Sequence, residues 1–401
     1  ASPYLSAKGG SALGGKGRKS MMDNKLYYQA LARFDKIGPI RLRNLLKTFP
    51  NVEAIWSATT QELRSAGLDE NIAGKFTNWR KDQNLEKQWE ELEREGIRVI
   101  TWDDIAETVQ GQSLRQGLSL NGQYYPKLLA EIHDSPHTLF VRGTLPQNDF
   151  TLAVVGTRMV TNYGRQLIEQ IVRPLARAGL VIVSGLALGV DALAHNAALK
   201  EQGATIAVLG GGCDTNTIYP SSNRALAEQI IAQGGAVISE YPPKTLAMPY
   251  HFPHRNRIIS GLSRGTLVIE ATEDSGSLIT AQQALEQNRE VFTVPGDITR
   301  DTSKGTNNLL KLGAHPILEA NDVLQILDLQ DLKNTIIAKK ILPDNPLEEQ
   351  ILQHLHNEPM HIDELIEKTA LATEKLSSCL TLMEMKGKVR HIGGMNYVLA
   401  H

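Results

Sequence analysis

Cysteine is almost absent. The 401-residue chain has two, Cys213 and Cys379, far apart and without CxxC spacing, which excludes a disulfide framework, offers no zinc site and fits a reducing cytosol. No apolar run reaches the roughly 18 to 20 residues of a membrane span. The first twenty residues are rich in Gly, Ser and Lys and lack the apolar core of a signal peptide; they read as an expression remnant or disordered tail ahead of Met21 and Met22. Neither charge is in large excess: the formal net charge is −2, which argues against coating of nucleic acid through bulk charge, so that any such binding comes from a local basic site. No GxGxxG follows a strand and no GxxxxGK[ST] occurs, so neither a dinucleotide cofactor nor Walker-type ATP binding is expected.

What is present is a globular composition, 41% hydrophobic and 21% charged, on a chain long enough for two or three domains. Over 21–92 the pattern is helical, with Leu26, Tyr27, Leu31 and Phe34, then Leu42, Leu45 and Leu46, at helical spacing. Ile37-Gly38-Pro39 between those runs suits a helix-hairpin-helix (SAM-like) domain. Its second helix either offers N–H groups to a DNA phosphate or belongs to a small bundle that caps the next domain. Ala66-Gly67-Leu68 is a weaker echo, and the charged run Leu85 to Glu95 is a solvated face. Ile97 to Thr101 reads as a strand, Asp103 to Gln123 as an exposed polar loop, and Leu139 to Gly143 as another strand.

From Leu152 to about Val294, strand-like runs alternate with helical ones. The strands are expected at Leu152–Val155, Leu180–Val183, Thr205–Leu209, Ala236–Ser239, Thr266–Ile269 and Val291–Val294, with Leu167, Ile171 and Leu175 on an intervening helix. The alternation predicts an α/β fold with a doubly wound, mostly parallel sheet, which binds ligands beyond the carboxyl ends of its strands. Small and polar residues stand at those ends: Gly156-Thr157-Arg158, Ser184-Gly185, Gly210-Gly211-Gly212 and Ser275-Gly276-Ser277. Glycine and hydroxyl residues there let donors approach an anion.

Phe252-Pro253-His254-Arg255-Asn256-Arg257 supplies an aromatic face for an unpaired base and guanidiniums for phosphate, just before the apolar turns of a helix. The same segment suits a turn held by Arg–carboxylate pairs. Glu240 and Glu270 each follow a strand; they suit acid–base cleavage or, better, pairing with Arg255 or Arg257. Asp191 and His195 are four apart but lack a third metal ligand, so a helix cap and a buried, hydrogen-bonded histidine are expected and no metal. Cys213, among small neighbours, is expected to be inert.

In order, GTR…TNYG, SGLALGVDALAHNAAL, GGGCDTNTIYPSSN, SEYPP, FPHRNRIISGLS, EATEDSGSLITAQQA and VPGD resemble the DNA-processing protein A family (DprA, also called Smf), over roughly Ile97 to Leu327. The resemblance implies an extended Rossmann-like core over 97–330. It further implies a cytoplasmic, homodimeric protein, not known as an enzyme, that binds and protects incoming single-stranded DNA and loads RecA onto it in natural transformation. Carried over by position, Gly156, Thr157 and Arg158 hold phosphates, Phe252 stacks a base, and Arg255, Asn256 and Arg257 anchor the strand. Ser184, Gly185, Ser275, Gly276 and Ser277 line the same crevice. Met248 and Pro249 stand where some relatives carry a lysine, and Lys244 lies further upstream. The dimer contact is expected at the end of the core, on Leu309, Leu310, Leu312 and Ile317. Two alternatives are a Rossmann-like nucleotide hydrolase using Glu270, which would lack its PGGxGTxxE pattern, and a winged-helix transcription regulator.

After a linker over 331–346, residues 347–401 give helical runs at Glu348–Leu355, Ile362–Thr369 and Thr373–Lys386. Two short strands joined at Gly393-Gly394 follow, which is the order of a winged-helix domain. Its third helix offers Lys375 and Lys386 against Glu374 and Glu384, which favours protein contact over sequence-specific DNA reading.

Overall fold

The structure, a computed structural model, describes residues 24–105, 108–109, 112–113, 124–146, 148–329, 345–355, 360–369, 371–386 and 388–399. The tail over 1–20, most of the stretch between Asp103 and Gln123, and all but the end of the expected linker over 331–346 lie outside them. Two compact units are formed. One runs to Ala176 and resumes over Leu180–Ala320, and the other takes in Arg177–Gly179 and the chain from Asn321 onward.

The first unit begins with short helices: α1 (24–31), α2 (Pro39–Leu45), α3 (Val52–Ser57), α4 (Thr60–Ser65), α5 (Glu70–Trp79) and α6 (Leu85–Arg94). Asn51, Thr59, Asp69 and Asn84 accept from amides of the turns they precede and so start α3 to α6. The helices share a core of Tyr28, Leu31, Phe34, Leu42, Ile55 and Phe76, with Trp56 edge-on to Phe76 at 5.7 Å. They belong to the same unit as the sheet. Lys25 pairs with buried Asp104 at 2.9 Å, and Arg43 donates to the His133 carbonyl and the Ser135 hydroxyl. The Gly38-Pro39 hairpin faces inward, lining a cavity of about 170 Å³ with His137, Glu240 and Tyr241.

The sheet follows: β1 (Arg98–Thr101), a small separate pair β2 (Thr108–Val109) and β3 (Gln112–Ser113), then α7 (Lys127–Ala130), β4 (Thr138–Gly143) and β5 (Thr151–Val155). Helix α8 (Asn162–Leu167) continues through a π turn into α9 (Arg173–Arg177). Next come β6 (Val181–Ser184), α10 (Val190–Lys200), β7 (Thr205–Val208), α11 (Arg224–Ala232), β8 (Ala236–Ser239) and α12 (His251–Gly261). The unit continues with β9 (Gly265–Val268), α13 (Gly276–Glu286), β10 (Glu290–Thr293), α14 (Asp301–Lys311) and β11 (His315–Pro316).

Nine strands pair in the order β1-β4-β8-β7-β6-β5-β9-β10-β11. From β8 to β11 all neighbours are parallel, while β1 and β4 add an antiparallel edge. The inner strands β5 to β9 are buried throughout because helices cover both faces, which is why they read as unbroken apolar runs. Successive residues go to opposite layers: Ile206 and Val208 to the side of α12 and α13, Ala207 and Leu209 to the side of α10 and α11. The order reverses between β5 and β9, so the chain crosses from one half of the sheet to the other there and opens a crevice at the strands' carboxyl ends.

In the second unit, α15 (Ala320–Ile326) is followed by α16 (Pro346–Leu352), β12 (Met360–His361), α17 (Ile362–Thr369), α18 (Thr373–Met385), β13 (Val389–His391) and β14 (Asn396–Leu399). Three helices and a β12-β14-β13 sheet enclose Ile351, Leu365, Leu376, Leu380 and Met383. Gly393 and Gly394, both at positive φ, turn the wing as expected.

Candidate nucleic-acid interface

At the end of β5 the chain is fastened on both sides. The Thr157 amide donates to the Glu270 carbonyl at 2.8 Å, and the Val190 amide to the Thr157 carbonyl at 3.1 Å. The Thr161 amide and hydroxyl donate to the Glu270 carboxylate at 3.0 and 2.6 Å, and Gly164 leaves the room that this carboxylate occupies. Glu270 therefore does not pair with either arginine. It is buried and, held by Thr161, anchors the turn into α8. The loop between these anchors carries Arg158 to the surface.

Opposite it stands Phe252, in the first turn of α12. The helix begins at His251, so Arg255 and Arg257 lie within it rather than ahead of it. Pro253 is tolerated because first-turn amides have no partner in the helix. The Phe252 ring lies 5.7 Å from the Arg158 guanidinium, 5.9 Å from that of Arg255 and 5.9 Å from the Tyr219 ring. Together with Gly185, Ala187, Leu188 and Pro220 these four side chains line a cleft of about 30 Å³.

The three cationic positions read from the sequence have different fates. Arg158 is exposed, and among the described residues no carboxylate pairs with it. Arg255 is buried and donates to the carbonyls of Gly185, at 2.7 Å, and Val208; Gly185 has no Cβ where that guanidinium sits. Burial pushes Arg255 down to about 10 against the pull of Asp191, and neighbouring Arg158 lowers it further. Arg255 thus forms the floor under the ring. Arg257 is buried too, paired with Glu240 at 2.6 Å and Asp134 at 3.0 Å. Burial works to lower it, but the two carboxylates outweigh that and hold it above its ordinary value. Arg257 belongs to the fold rather than to the crevice, as does Ser184, which is fully buried and donates to the Val154 carbonyl at 2.7 Å.

Asn256 reaches across to the start of α13, donating to the Gly276 carbonyl at 3.3 Å. There Ser275 caps the helix and shares a 2.7 Å hydrogen bond with Ser277, which is buried, while Gly276 is open. The loop after β6 is held by Asp191, which accepts from the amides of Gly185 and Ala187 at 3.0 and 3.3 Å, and by Asn223, which donates to the Leu186 carbonyl at 2.8 Å. Leu186 has φ +58, a conformation that costs a leucine on the order of 1–3 kcal/mol and persists only where its surroundings fix it. Asp191 does not cap its own helix, whose preceding residue is Gly189. His195 is buried against Thr205 at 2.7 Å, and burial pushes Cys213 up to about 12; neither offers chemistry. Gly210, Gly211 and Gly212 are packed from within, Gly210 against the Phe252 ring, Gly211 against the backbone of Thr245 and Ala247, and Gly212 against Asp214 and Thr217 while its amide donates to the Thr245 carbonyl at 2.8 Å.

Residues 117–328 match the model of DNA recombination-mediator protein A, and 338–395 that of the DprA winged helix domain. Protein Smf of Synechocystis is 34% identical over 409 residues, 92% of this chain and 98% of its own. The chain belongs to the DprA/Smf family. The DNA processing protein DprA of Bacillus subtilis is 43% identical over 220 residues, 54% of this chain and 73% of that protein. The X-ray structure of DprA from Streptococcus pneumoniae superposes with a TM-score of 0.59 at 31% identity, covering 74% of this chain and 97% of that one. Within this family frame, Ala187, Leu188, Tyr219 and Pro220 are the cleft residues that residue type alone did not single out. The Tyr-Pro pair in GGGCDTNTIYPSSN was the available signal, since an aromatic followed by proline in a polar loop is not shaped for a core.

Proposed function

We propose that this family member binds single-stranded DNA at the Arg158–Phe252 cleft and acts as a recombination mediator that passes the strand to RecA. The observation that carries this is an unpaired, exposed guanidinium over the face of a supported aromatic ring. An exposed contact of that kind is worth about 0.5–1 kcal/mol, less than the ~1–3 kcal/mol of a stacked base. A base can therefore displace the guanidinium from the ring while the guanidinium takes the adjoining phosphate. Only unpaired bases can enter, so duplex DNA is disfavoured. Gly276 and Asn256 supply polar contacts further along the same edge.

No chemical step is proposed. Glu270, the carboxylate that acid–base cleavage would use, is committed to Thr161 and Thr302. Dimerisation through the end of the core is proposed to use Leu310 and Leu312, of which Leu312 is 77% exposed. Leu309 and Ile317 are buried within their own protomer and do not take part. For the winged helix, protein contact is the favoured role. Buried Glu348 holds Lys386 and Lys388 at 2.8 and 2.5 Å, and Ile392 and Met395 stand exposed on the wing.

The test is fluorescence anisotropy with labelled single-stranded and duplex oligonucleotides of equal length over a salt series. Tighter single-strand binding with a negative log–log salt slope is expected; preference for duplex, or no binding, would overturn the proposal.

A further inference from the structure

We infer that Arg165 holds a second phosphate of the bound strand, next to the one on Arg158 and on the side away from Phe252. This rests on the single-strand reading above and extends it to a residue outside the family motifs. Arg158 lines two depressions. One is the aromatic cleft; the other, of about 310 Å³, is lined by Arg158, Met159, Val160, Arg165, Gly189 and Ala192, among others. Arg165 lies on α8 and is exposed.

Among the described residues no carboxylate pairs with it, for a visible reason. Glu169, one turn further along the helix and in reach for an i,i+4 pair, is instead taken by Arg173 at 3.1 Å and Lys200 at 2.7 Å. The other acid at this edge, Asp191, is buried against the amides of Gly185 and Ala187. At the start of α10 the Val190 and Ala192 amides are spent on the Thr157 and Ala187 carbonyls. Recognition therefore falls to two guanidiniums across one open depression, an arrangement that suits successive phosphodiesters of a flexible backbone.

The fastened loop, with Thr157 bonded to Glu270 just after β9 and to α10, and Thr161 to the Glu270 carboxylate, fixes the spacing between the two arginines. The strand is thereby given a path, with a base on Phe252, its phosphate on Arg158 and the neighbouring phosphate on Arg165.

The test is the salt dependence of (dT)15 binding by the full chain, comparing wild type with Arg158→Ala, Arg165→Ala, Arg165→Lys and the double alanine variant. Each phosphate contact on a single strand contributes about 0.7 to the log–log slope. Arg165→Ala is expected to lower the slope by about that amount, Arg165→Lys to retain it, and the double variant to lose about twice as much. A slope unchanged in Arg165→Ala but reduced in Arg158→Ala would overturn this inference alone. An unchanged slope in Arg158→Ala, or no single-strand binding by wild type, would overturn the reading beneath it as well. Because Arg165 is exposed, its variants should melt like wild type, and an equal melting temperature accompanies each comparison.

Discussion

Arg158 stands 5.7 Å from the Phe252 ring, and the two side chains reach their positions from opposite sides of the crevice by unrelated means. One is carried on a loop bolted to Glu270 after β9 and to α10, the other on the first turn of α12. They therefore contribute separable terms. Arg158→Ala is expected to lower the single-strand salt slope by about 0.7, for one lost phosphate. Phe252→Ala should leave the slope unchanged and weaken binding at every salt concentration by roughly 1–3 kcal/mol of lost stacking. Titrations of both variants at four salt concentrations separate these outcomes.

Arg255 under the ring carries a different expectation. Arg255→Met leaves the carbonyls of Gly185 and Val208 without that donor and buried Asp191 without its nearest cation. A loss of about 1–3 kcal/mol for each orphaned group is expected, read from urea unfolding, together with weaker single-strand binding because the floor of the cleft is gone. Stability equal to wild type would contradict its role as floor.

Much of this was legible in the sequence, and the part that was not has one cause. Ala236–Ser239 is the strand its apolar run predicts, and the other inner strands shift by a single residue at one end or both, because a strand buried on both faces leaves an apolar run with few competing readings. Residue types likewise pointed to Arg158 and Phe252. The fate of the remaining cations depends on direction around α12. At about 100° per residue, Arg255 and Asn256 return to the face of Phe252, whereas Arg257 turns some 140° from it, onto Glu240 and Asp134. A motif written as a string hides that rotation. It also hides the partners: Glu270 had Thr161 and Thr302, not an arginine, and only the fold brings those threonines to it.

Glu270→Gln tests that last assignment. The amide cannot accept at both of its positions, and its N–H group would face donors of Thr161 or Thr302, so a destabilisation of about 1–3 kcal/mol is expected. Single-strand affinity should fall through loosening of the loop that carries Arg158. Full stability combined with loss of a nucleotide-cleaving activity would instead restore the hydrolase alternative.

Two histidines set an acid limit. The Thr205 hydroxyl donates to the Ile182 carbonyl at 2.6 Å, so His195 must donate from Nδ1. Its buried Nε2 has no hydrogen-bond partner among the described residues, and burial, with Arg255 nearby, lowers it from 6.5 to about 3. His137, buried with Arg257 in its field, falls to about 4. Both folded values lie below the ordinary one, so the unfolded chain takes up protons that the folded chain refuses. Their stability contribution is complete above pH ~6.5 and is lost as pH falls toward 4 and 3, at up to ~1.4 kcal/mol per pH unit for each. Asp191, raised by burial, works in the opposite sense as it takes up its proton. Urea unfolding between pH 7.5 and 5 should show this slope, reduced in His195→Gln.

The end of the core offers a contrast between two leucine-sized side chains. Ile317 is fully buried and Leu312 is 77% exposed. Ile317→Ala is expected to cost about 2–5 kcal/mol, whereas Leu312→Ala should stay within about 0.5 kcal/mol. If the dimer forms there, Leu312→Glu lowers the sedimentation coefficient without lowering the melting temperature of the monomer.

The most direct measurement is the fluorescence of a single-stranded oligonucleotide carrying 2-aminopurine, read at saturating protein. Stacking of a base on Phe252 predicts quenching by wild type and by Arg158→Ala once each is saturated, and loss of that quenching in Phe252→Ala. Equal quenching in Phe252→Ala, with the strand still bound, would contradict the account, because the base would then lie somewhere other than on this ring.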